Sequence, residues 1–234
     1  MTVRASKSSF AVREKLSQLF KNVGKKGKEL LSSETTKDAH LALNLPSGKK
    51  NMLDNGDFRV NQRSTALTAS GSNAKQFGLD RWGVFNYPST NAGVFTWTQI
   101  GATHADTPPG HAAYGRAEVT TAQTSLASNT FNVIQQTIEG NNLAALKAGS
   151  AQARPSVVSF WARSNIPGTY SAGLQLNTKF IFKTFEITKT DQWQKIILKF
   201  PPFTNAVTGA IHGTGAAAYL NIVLAMGSGY VGPE

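Results

Sequence analysis

Two hydrophobic rhythms divide the chain near residue 50. Before that point, Val12, Leu16, Leu19, Phe20 and Val23 recur at offsets of 4, 7, 8 and 11, the spacing of one apolar stripe on an α-helix. Ser8 or Ser9 can cap its start, and Gly24 and Gly27 weaken the pattern beyond it. The spacing predicts a helix over about residues 9–23, resuming over Lys28–Ser32. The rest of this leader, "SSETTKDAHLALNLPSGKK", has loop chemistry around one short apolar alternation, Leu41, Leu43 and Leu45.

From Asn51 onward the period shortens to two. Ten runs stand between Gly, Pro, Asn and Ser punctuation: "FRVNQR", "RWGVFNY", "GVFTWTQI", "GRAEVTTA", "FNVIQQTIE", "SVVSFWARS", "SAGLQLN", "FIFKTFEIT", "WQKIILKF" and "AYLNIVLAM". A parallel α/β sheet requires a helix between most strands, and only "NNLAALKAG" (141–149) offers a turn or two. The pattern predicts an all-β antiparallel sandwich or barrel. In "VVSFWARS", Val158, Phe160 and Ala162 share a wholly apolar face, as a strand in the middle of a two-sheet sandwich requires. "NMLDNGDFRVNQR" (51–63) opens the domain and reads as a short strand behind a turn. The division is therefore a helical and extended segment, 1–50, and a β domain, 51–234.

Charge follows the same division. The chain carries a formal net charge of +11, but residues 1–50 hold 11 Lys/Arg and 4 Asp/Glu, a balance of +7. The basic character belongs mainly to the leader, and the β domain is not expected to be a nucleic-acid surface. With no cysteine, disulfides, thiolate metal sites and a cysteine nucleophile are excluded. No run approaches the roughly 18 apolar residues of a membrane span. Three roles are open to a basic amphipathic leader: capping its own β domain, docking its stripe into another protein, or meeting anionic lipid or nucleic acid through Lys21, Lys25, Lys26 and Lys28. The docking role is the expectation, with Val12, Leu16, Leu19, Phe20 and Val23 as anchors and Lys21, Lys25 and Lys26 steering them to an acidic surface.

Catalytic signatures do not emerge. His40, His104, His111 and His212 stand in loop-like contexts without metal-ligand spacing, and no nucleophile elbow, Walker motif or dinucleotide fingerprint is present. The scattered carboxylates have turn or solvent-facing explanations, so no enzyme is expected. Sugar binding calls for aromatic faces beside amides and carboxylates. Tyr87 and Trp97 flank the loop "NYPSTNAGVF" and, with Trp82, are the candidates for stacking, whereas Trp161 and Trp193 are expected in the core or its cover.

The order of several short motifs adds a resemblance. "NGDFRVNQR" (55–63), "FGLDRW" (77–82), "QQTIEGNNLAAL" (135–146), "VVSFWARSN" (157–165) and "QWQKIILKF" (192–200) together resemble the carbohydrate-binding-module-like jelly-roll domains of bacteriophage tail fibres and other virion proteins. The resemblance spans about residues 51–224 and implies an antiparallel jelly-roll sandwich. It also implies a non-enzymatic virion part, a tail fibre or fibre-like decoration subunit, made in the host cytoplasm and docked to tail or capsid protein through its N-terminus. A homo-oligomer, trimeric as fibres commonly are, belongs to that reading, with host surface polysaccharide as a further partner. The alternative is a glycan-binding adhesin. By the same resemblance a structural calcium would sit at Asp57 of "NGDF", and another strand would follow "YLNIVLAMG", so the chain is expected to continue past Glu234 in a longer polypeptide.

Overall fold

In the structure, a computed structural model, residues 51–64, 66–71, 74–88, 93–101, 106–176, 179–204 and 213–230 are described. Chain contacts divide the protein into two units, Met1–Asn51 and Met52–Glu234, and every described element lies in the second. The expected helix of the leader and its docking side chains, Val12, Leu16, Leu19, Phe20, Lys21, Val23, Lys25 and Lys26, fall outside the described residues.

The described residues form eleven strands: β1 (Ala66–Ala69), β2 (Gln76–Phe77), β3 (Trp82–Tyr87), β4 (Val94–Gly101), β5 (Ala113–Thr121), β6 (Phe131–Glu139), β7 (Ser156–Ala162), β8 (Gly168–Leu176), β9 (Lys179–Ile187), β10 (Gln194–Phe200) and β11 (Ala216–Met226). All pair antiparallel. One sheet has the order β2-β3-β6-β11-β8-β9; opposite it lie two smaller sheets, β1-β4-β5 and β10-β7. A single core joins them: Trp82, Val84, Ile134 and Leu220 of the large sheet pack with Phe95 and Trp97 of β4 and with Val158, Leu198 and Phe200 of β7 and β10. The protein is an antiparallel β-sandwich.

Side-chain alternation explains why the strands lie as they do. On β10, Ile196, Leu198 and Phe200 are buried while Lys195, Ile197 and Lys199 face solvent. Its partner β7 buries Val158 and leaves Val157 62 % exposed, so a one-residue slip would put Val157 and its neighbours into the core. β6 breaks this rule and is buried along nearly its whole length, because it sits between β3 and β11 and is covered on both faces. Its outward Phe131 meets the rings of Phe85, Phe180 and Tyr230 at 5.0–6.2 Å, a second apolar cluster on the far side of the large sheet.

Nine of the ten expected strands are present, and "NNLAALKAG" supplies the short helix α1 (Gly140–Leu143) with a 3-10 turn, Ala144–Leu146, behind it. Leu143 and Leu146 turn into the core from this connection. "FRVNQR" is the exception. Asn55 and Phe58 adopt left-handed backbone (φ 49 and 56), and the Phe58 N–H donates to the Asn55 carbonyl, so the chain turns instead of extending. β1 and β2 escape the sequence pattern because four residues of Ala, Leu and Thr and two residues of Gln-Phe are too short to show a period. Among the described residues no helix is long and apolar enough to cross a membrane.

Candidate functional site

The opening loop is tied to the domain by a dense set of hydrogen bonds. Gln136, 1 % exposed on β6, uses both ends of its amide on one residue: Nε2 donates to the Asp54 carbonyl at 2.7 Å and Oε1 accepts from the Asp54 N–H at 2.9 Å. Asn55 Nδ2 donates to the carbonyls of Val60 and Asp80, and its Oδ1 accepts from the Val60 N–H. The indole N–H of Trp82 donates to the Asn55 carbonyl. Phe58 lies between Trp82 and Trp97, with ring centroids 5.1 and 5.4 Å away. Arg81 bridges Asp54 at 3.0 Å and Glu139 at 2.9 Å, and its bond to Glu139 with the two nearby carboxylates holds the guanidinium above its ordinary pKa. The result is a latch that ties the loop to β3 and β6.

This latch reassigns the sequence candidates. Trp82 and Trp97 are 4 % and 3 % exposed, so neither can offer a ring face to a sugar. Trp97 also lies directly over Gly115, where any Cβ would strike its six-membered ring. Tyr87 is half-buried, with its ring 6.2 Å from Phe85 and its hydroxyl accepting from Asn129 at 3.4 Å. Asp57 faces Arg59 Nε at 2.8 Å, and among the described residues no three His, Asp or Glu side chains gather to hold a metal.

Two partly exposed clusters lie elsewhere, neither visible in the sequence. Tyr114 of β5 and Trp193 meet edge-to-face at 5.1 Å, with the Arg163 guanidinium 5.4 Å from the Trp193 ring and 6.0 Å from that of Tyr114. The Trp193 indole N–H donates to the Asp106 carbonyl at 3.1 Å, fixing the ring. On the outward face of the large sheet, Lys75 crosses the backbone of Gly83 and bonds Thr137 Oγ1 at 3.0 Å. Burial lowers its pKa from 10.5 to about 8. The unfolded chain therefore binds more protons than the folded one between those values, and stability is expected to rise as pH goes from about 8 to 10.5. Urea midpoints across that range should climb in the natural chain, and Lys75→Met should flatten the climb; an identical slope in both would refute the assignment.

The fold and these sites define an antiparallel β-sandwich with a bonded opening loop and small polar and aromatic surface clusters. No family model matches the chain, and no curated protein matches it either.

Proposed function

We propose that the chain is a non-enzymatic structural subunit of a bacteriophage virion, a tail fibre or fibre-like decoration. In this reading residues 51–234 form a jelly roll and residues 1–50 dock it to tail or capsid protein. One observation carries the reading. "NGDF", "DRW" and "QQTIE", short and far apart in the chain, meet in a single latch in which the two bonds between Asp54 and Gln136 span 82 residues. Motifs that interlock in space support the resemblance better than the same motifs scattered over a surface. The path of the chain supports the jelly roll: it changes sheet at β1→β2, β3→β4, β5→β6, β6→β7, β7→β8, β9→β10 and β10→β11. The subunit is made in the host cytoplasm and assembles as a homo-oligomer, a trimer as in other fibres.

Electron cryomicroscopy of the intact particle, traced to residue 1, tests this. The expected result is an ordered helix over about residues 9–23 with Leu16, Leu19 and Phe20 buried against another virion protein. Particles that lack the chain, or a leader that touches no other protein, would remove the proposal. A second reading, a glycan-binding adhesin, is favoured by the half-exposed Tyr114–Trp193 pair and by Tyr87. It requires that host-polysaccharide binding fall on Trp193→Ala or Tyr87→Ala while the fold persists.

A further inference from the structure

β5 ends its sheet. It pairs with β4 along one side, and among the described residues no strand is bonded to its other side. That free edge offers backbone N–H and C=O groups, the template through which one sheet extends into another chain. Tyr114, at the start of the strand, packs on Trp193 at 5.1 Å, but from Arg116 onward every residue except Ala117 is exposed. Val119 is 65 % exposed although it shares parity with Gly115, which faces the buried Trp97 ring. This end of β5 is therefore uncovered on both faces as well as along its edge.

Charge separates β5 from the other described edge strands. β1, β2 and β7 carry no charged residue, and β10 carries only Lys195 and Lys199. On β9, Lys179 and Lys183 have the parity opposite to Glu186. β5 places opposite charges two residues apart on one face, Arg116 and Glu118, whose side chains meet at 3.2 Å. Two identical strands paired antiparallel are related by a two-fold axis. An axis at Ala117 sets Arg116 directly across from the partner's Glu118, and does so twice. Opposite charges in that position stabilise the pair. An axis at Arg116 or Glu118 instead sets like charges face to face, which destabilises it. The charges thus select both the partner, another copy of the same strand, and the register.

We propose that β5 is a self-association edge, on which a second copy of this chain pairs antiparallel over Gly115–Val119 with the two-fold axis at Ala117. The sheet β1-β4-β5 then continues into the same three strands of the partner subunit. Arg116 and Glu118 exchange their bond within one strand for two bonds between strands, and Val119 comes opposite the partner's Gly115 and loses exposure. So short a pairing belongs to the weak, transient class of contacts. It is two-fold and local to β5, so it stands apart from the three-fold assembly proposed above, and neither depends on the other.

The chain has no cysteine, so introduced thiols report the register directly. Full-length Arg116→Cys and Glu118→Cys chains are oxidised mildly, separately and as a mixture. In a mixed pair the two thiols stand directly opposite, about 4.5–5.5 Å apart at Cβ, while the other Arg116 and Glu118 keep their ion pair. In either chain alone the thiols are diagonal neighbours about 7–8 Å apart, too far to bridge. The covalent dimer is expected to form about 10-fold faster in the mixture. In sedimentation of the natural chain, the two-fold association step should weaken about 10-fold in Arg116→Glu and return in Arg116→Glu/Glu118→Arg. Both side chains are more than half exposed, at 52 % and 61 %, so these variants leave the core intact. A mixture that cross-links no faster than the separate chains would overturn the proposal, as would a two-fold step unchanged in Arg116→Glu. A trimer that forms without any mixed cross-link would keep the three-fold assembly and remove this contact.

Discussion

Trp97→Ala is expected to destabilise the protein by about 3–5 kcal/mol, the range for removing a fully buried large aromatic side chain. Trp97 is 3 % exposed, packs edge-on against Phe58, and lies over Gly115, so its loss opens a hole that three separate elements line. Urea denaturation should show a lower midpoint with an unchanged slope, and a shift below about 1 kcal/mol would show that the ring is not part of the core. Trp97→Phe should cost much less. The Trp97 indole N–H is buried without a partner, so the smaller ring loses volume but also removes an unsatisfied donor. A sugar-binding deficit in Trp97→Ala would therefore report loss of fold, and Tyr87 or Trp193 is the better place to look for a binding deficit.

Gln136→Leu is the second large effect, expected at about 2–4 kcal/mol from two lost buried hydrogen bonds. Leucine nearly fills the volume, so the cost comes from the Asp54 N–H and carbonyl losing the Gln136 amide rather than from a cavity. Gln136→Glu should be at least as damaging, because a carboxylate can accept from the Asp54 N–H but cannot donate to its carbonyl. Hydrogen exchange at Asp54 and limited proteolysis across residues 53–64 provide the readout. Both should accelerate in the variants before the rest of the domain unfolds. If the loop stays protected in Gln136→Leu, the latch does not depend on this amide.

The sandwich was legible wherever one face of a strand is solvent. β7 and β10 alternate in sequence as they do in the structure, and "NNLAALKAG" announced a connection that coils. The alternation also held the answer for two misassigned tryptophans. In "VFTWTQI", Trp97 shares parity with Phe95, and Trp82 shares it with Val84, so each belonged with buried neighbours. Proximity to a loop suggested exposure and was the weaker guide.

The latch was not legible as geometry, because its halves lie in segments without common periodicity. Its trace was a glutamine pair inside the apolar strand "FNVIQQTIE", where buried amides require partners supplied from elsewhere. Phe58 carried no such trace, since left-handed backbone at a phenylalanine has no signature in sequence. Lys75 lies outside any periodic run, and its surroundings come from β3, β6 and β11 together.

The position of β11 has a consequence for how the domain is made. The last described strand sits between β6 and β8, in the middle of the large sheet, while its two neighbours are synthesised long before it. During synthesis the inner edges of β6 and β8 therefore stay unpaired, and β6 is buried along nearly its whole length in the finished sheet. Such long-range closure is slow, because its loop entropy is opposed before any contact rewards it. The nascent chain thus carries a sticky, half-built sheet until β11 arrives to close it, the interval in which pairing with a second chain competes with folding.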